Sequence, residues 1–165
     1  MTRTTTAVPM MATAATSRQR TSGLLRLLLR PVPGAATPAT AAGRAAAVAG
    51  IVFGAGMVAV SAVIHLHLWL IGYRHIHLIG PAFLFQSISG VALAAAVVAF
   101  RRLVMVLAGV GFCGGSVVAL LLSATVGFLG LHDGLSVPWA GWSLASELAG
   151  FLALLAVAAF VLRRR

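Results

Sequence analysis

The sequence predicts an all-α fold, a transmembrane four-helix bundle with a disordered N-terminal tail. Three observations carry that reading. Hydrophobic residues make up 61% of the 165-residue chain and charged residues 8%, where a soluble domain carries roughly 25% charged. Mean hydropathy is +1.05. Four apolar stretches each supply the ~20 residues that cross a hydrocarbon core of ~30 Å. So little charge cannot wet the surface of a soluble globule, and a bilayer is the solvent the chain suits.

Taken in order, residues 1–44 are rich in Ala, Thr, Pro and Arg without sustained periodicity, and read as a disordered, basic, cytoplasmic tail. Within it Ser22 to Arg30 (SGLLRLLLR) is a short apolar run broken by Arg26. That pattern suits a basic segment lying on an anionic inner leaflet better than the unbroken apolar core of a signal peptide. Met10 and Met11 are alternative starts to Met1.

The predicted spans are residues 45–64, 81–100, 103–130 and 142–162. The first is bounded by Arg44. The second opens at Pro81, where a helix start tolerates the missing N–H, and ends at Arg101–Arg102. The third is too long for a perpendicular crossing and must tilt or protrude. The fourth is closed by Arg163–Arg165.

Orientation follows from charge. The net charge of +10 comes from twelve arginines and no lysine, set against Asp133 and Glu147 alone. A basic balance can mark nucleic-acid binding, but these arginines sit at span ends, where the positive-inside rule puts them. Every arginine except Arg74 falls on one side if both termini are cytoplasmic. The expectation is a multi-pass protein of the cytoplasmic membrane that meets lipid and no nucleic acid. Trp69, Trp139 and Trp142 flank the outer boundary as an aromatic belt.

Helices in lipid meet through small residues, and each span carries a stripe of them. The stripes are Gly50, Gly54 and Ser61; Gln86, Gly90 and Ala94; Gly111, Gly115, Ala119, Ser123 and Gly127; and Ser143, Glu147 and Gly150. They predict a bundle interior, and could also join a membrane-protein partner or a second copy. Polar side chains lie on the stripes near the outer rim, while the inner halves are dry. A transporter needs access from both faces, usually through midplane sites, and that route is missing.

Glu147 is the most informative residue, because an ionisable group inside a span is costly and marks a site by default. Arg74, the lone outer arginine, is the cation expected to reach it. With Gln86, Tyr73 and His65 these residues form a candidate outward-facing polar pocket. The histidines repeat as His65-Leu-His67 and His75-Ile-His77. On a helix His65 and His67 point about 200° apart and cannot grip one ion together. A metal site would draw on His65, His75, His77, His132 and Asp133, and a haem b on His65 and His132. A lone Cys113 excludes disulfide and Cys-x-x-Cys chemistry. No Ser-His-Asp set, phosphate loop or carboxylate pair is visible, so no catalytic residue is assigned. The expected role is a non-catalytic membrane component binding a partner protein or lipid. The alternative is an outer-leaflet metal or haem protein handling redox or metal.

The run His65-Leu-His67-Leu-Trp69, Gly72-Tyr73-Arg74 and Ile79-Gly80-Pro81 with Phe83, Phe85 and Gln86 resembles a family of small, uncharacterised actinobacterial membrane proteins. Their pattern is H-L-H-L-W…G-Y-R…I-G-P-x-F between the first two spans. The resemblance implies four spans and an integral membrane location, and passes on no activity. A Pro usually stands in that pattern where this chain has His77, which implies that His77 is dispensable to the family's common role.

Overall fold

The computed structural model describes residues 21–32, 40–127, 132 and 137–163. Four long helices make up the fold: α1 (Ala41–Ile71), α2 (Ile79–Phe100), α3 (Leu103–Thr125) and α4 (Ala140–Arg163), with a 3-10 turn over Tyr73–His75 between the first two. Each is long and apolar enough to cross a membrane. The outward faces carry exposed large apolar side chains such as Phe53, Ile88, Val118 and Leu152. Lipid is the solvent such a surface needs, and the chain is a multi-pass membrane protein.

The boundaries depart most from the expected spans in two places. α3 ends at Thr125, where the span was expected to run to 130. α1 runs through Ile71, where the span was expected to stop at 64. At 1.5 Å per residue α1 is about 46 Å long, well beyond a ~30 Å core. Its last two turns, with His65 and His67, therefore continue the helix past the span. Gly72 ends it, with φ 153° and its N–H bonded to the Leu68 carbonyl, a backbone conformation that side chains resist.

Packing is uneven around the bundle. α1 packs along both α2 and α4, and α4 along α3, while the sequence neighbours α2 and α3 touch far less. The spatial order is thus α2–α1–α4–α3, an arc with a cleft between its two ends. Gly54 and Gly109 let the arc close: a Cβ on either would stand 2.6 or 2.5 Å from the fully buried Leu154 side chain. Small residues bring helices into dispersion contact where lipid competes for every apolar face. Ile51, Val58, Val97, Leu103, Val106, Leu154 and Val157 fill the arginine-end half as a dry core.

That end also organises part of the stretch read as a disordered tail. Residues 21–28 are helical, and Thr40 caps α1 by accepting from the Gly43 N–H at 3.2 Å. Val32 donates to the Arg101 carbonyl at 2.6 Å, and Leu103 donates to the Arg30 carbonyl at 3.0 Å. Val32 itself is 1% exposed. The segment clamps the two-residue turn, Arg101–Arg102, that joins α2 to α3. Arg101 closes α2 in the left-handed region at φ 46°.

Candidate functional site

At the histidine end the cleft widens into a cavity of about 510 Å³. This falls within the ~300–1,000 Å³ range of small-molecule sites. Its walls are mostly apolar. α1 supplies His65 and Leu68, α2 supplies Phe83, Phe85 and Gln86, α3 supplies Gly111 through Ser123, and α4 supplies Ser143 and Glu147.

Glu147 forms the polar centre. It is 1% exposed, and its Oε1 accepts the Ser61 hydroxyl at 2.9 Å and the Ser143 hydroxyl at 3.1 Å. Its Oε2 is buried without a hydrogen-bond partner. Helical spacing explains the arrangement: Ser143 lies one turn before Glu147 on α4, and α1 brings Ser61 across the seam. Beside them the His65 Nδ1 donates to the Ser61 carbonyl at 2.9 Å. A carbonyl can only accept, so this bond fixes the proton on Nδ1 and makes Nε2 an acceptor in the neutral ring. Gln86 donates from Nε2 to the Ser116 hydroxyl across the cleft.

Aromatic rings build the upper wall. Tyr73 stacks on Phe83 at 5.1 Å, and Phe83 meets His65 edge-on at 5.1 Å. The 3-10 turn holds Tyr73 there because Gly80 lets the two backbones touch: a Cβ on Gly80 would lie 2.6 Å from the Arg74 carbonyl oxygen. This accounts physically for the G-Y-R…I-G-P spacing. His67, on the opposite side of α1 from His65, meets Trp139 edge-on at 4.9 Å.

Glu147, Gln86, Tyr73 and His65 thus line one cavity, and Arg74 does not join them. It is exposed, and its Nε donates to the His75 Nε2 at 3.1 Å. The expected Arg74–Glu147 pair is not formed. The two extra turns of α1 carry the loop beyond the site, and a guanidinium is costly to draw back into an apolar interior. His75 and His77 are exposed. The His132 ring abuts Gly127, and Asp133 lies outside the described residues. Among the described residues no three of His, Cys, Asp and Glu come together.

The α3 stripe also differs from expectation. Gly111 and Gly115 are exposed, and nothing lies within 4 Å of a Cβ built on either. They leave space where packing was expected, and they make one side of the cavity. On the other side Phe85 is 72% exposed, so the mouth opens sideways between α2 and α3. Ser116, Phe112 and this mouth had no signal in the sequence beyond helical spacing. Ser61 and Ser143 were visible only as stripe members.

Fold and site together define a class: a four-span α-helical membrane protein with a mostly apolar side cavity around a buried carboxyl group. Comparison with protein-family models, curated proteins and solved structures finds no match for this chain.

Proposed function

We propose that the protein is a non-catalytic membrane component that binds an amphiphile, lipid or lipid-like, in the cavity between α2 and α3. The observation that carries this is Glu147 Oε2, buried and unpartnered, beside about 510 Å³ of mostly apolar space. A buried acceptor left alone costs about 1–3 kcal/mol, and a ligand head that donates to it would recover that. An apolar body would fill the remainder. The sideways mouth at Phe85, Gly111 and Gly115 suits entry from the bilayer, and the space suits a small molecule better than a partner helix. With the arginines cytoplasmic, the site faces the outer leaflet of the cytoplasmic membrane.

The test is extraction of the protein in native-lipid particles, followed by mass spectrometry of the retained lipid. An amphiphile enriched near one per protein, and lost in Gly115→Leu, is the expected result. Retained lipid with the bulk composition in both proteins would refute the reading.

A further inference from the structure

We infer that the head of the bound amphiphile is a primary amine carried as an ammonium cation, held against Glu147. The inference rests on the amphiphile-binding reading above and names its ligand class. Four observations lead to it.

The first is the carboxyl group itself. Two serine hydroxyls converge on Oε1, leaving Oε2 buried without a hydrogen-bond partner. The second is the missing counter-charge. No arginine lines the cavity among the described residues, and Arg74, the one arginine at this end, turns away to His75. A buried carboxylate needs a cation or a full set of donors, and the described side chains supply neither. A phosphate or carboxylate head would put like charge beside Glu147 without compensation, so anionic amphiphiles are disfavoured.

The third is the acceptor at His65. With Nδ1 committed to the Ser61 carbonyl, the neutral ring offers only acceptance, so a head with several N–H donors suits both residues. An ammonium group has three donors and no acceptor. The fourth is the aromatic wall. Tyr73, Phe83 and Phe112 line the same space, and ring faces attract cations, most strongly when water is excluded.

The experiment uses the full chain in nanodiscs of zwitterionic lipid, titrated with three probes of matched shape: naphthylmethylammonium, naphthylmethanol and naphthoate. Empty nanodiscs provide the partition background. Saturable binding in the order ammonium, alcohol, carboxylate is expected, with about tenfold between the first two, the scale of a hydrogen bond to a charged group. Glu147→Gln should weaken the ammonium about tenfold and the alcohol clearly less, because only the charged head loses its ionic partner, and the residual alcohol binding also reports whether that variant still folds. If the variant does not fold, the order of the three probes on the unaltered chain decides. Equal affinities, or a preference for the carboxylate, would overturn the amine assignment and leave the amphiphile reading standing. No saturable binding of any probe would overturn both.

Discussion

Ser61 on α1 donates its hydroxyl to Glu147 on α4 across 2.9 Å, and Ser143 supplies the same oxygen at 3.1 Å. One carboxyl oxygen therefore ties two helices together while its twin is buried without a partner. Interhelical hydrogen bonds in lipid contribute about 0.6–2 kcal/mol. Ser61→Ala should cost about 1 kcal/mol in a reversible unfolding assay. The same change made on a Glu147→Leu background should cost almost nothing. An equal cost in both backgrounds would mean that Ser61 acts through something other than Glu147.

The open glycines of α3 separate cavity from fold. Since nothing lies within 4 Å of a Cβ on Gly111 or Gly115, Gly115→Leu should fill the mouth without pushing on a neighbour. Its thermal midpoint should stay near that of the parent while retained amphiphile falls. A marked loss of stability would show that this face packs more tightly than the geometry describes.

Gly54 and Gly109 should behave in the opposite way. Gly109→Ala places a methyl 2.5 Å from Leu154 Cδ1, and overpacking of this kind costs about 1–3 kcal/mol. Leu154→Ala alone leaves a void and also destabilises, by about 2–5 kcal/mol. Combined, the two changes should be strongly sub-additive, because the new methyl occupies part of the vacated space. Additive costs would break the proposed contact.

The loop between α1 and α2 offers a protease readout. Gly80→Ala would place a Cβ 2.6 Å from the Arg74 carbonyl oxygen; the backbone fixes the Cβ position and its neighbour is itself backbone, so neither can rotate away. The turn should detach and trypsin should cut faster after exposed Arg74. An unchanged cleavage rate would show that the contact does not hold the turn.

Orientation is open to labelling from outside. With Cys113 buried, His75→Cys should react with a membrane-impermeant maleimide on intact cells. Arg102→Cys, in the turn at the other end, should react only after permeabilisation. The reverse pattern would invert the assigned topology.

Composition, span length and arginine placement were enough to establish four membrane helices and the residues that could share an outer polar layer. They suffice because partition into a bilayer depends on residue content over a window of about 20 residues and on end charges. The stripes at Gly50–Gly54, Gly90–Ala94 and Ser143–Glu147–Gly150 were legible for a similar local reason, since helical spacing alone puts them on one face. Which helices would lie together was not legible. The identical pattern on α3 reads as a packing face, yet Gly111 and Gly115 border empty space because α2 and α3 stand at opposite ends of the arc. Charge alone likewise favoured an Arg74–Glu147 pair. The length of α1 and the Gly72–Gly80 turn instead carry the guanidinium past the site, and the serine hydroxyls reach the carboxyl group first. Sequence by itself determined the solvent and the crossings, because those are sums over local segments. Only the tertiary structure decided where a side chain's absence makes a cavity and which partner a buried charge meets, because both depend on distances between helices far apart in the chain.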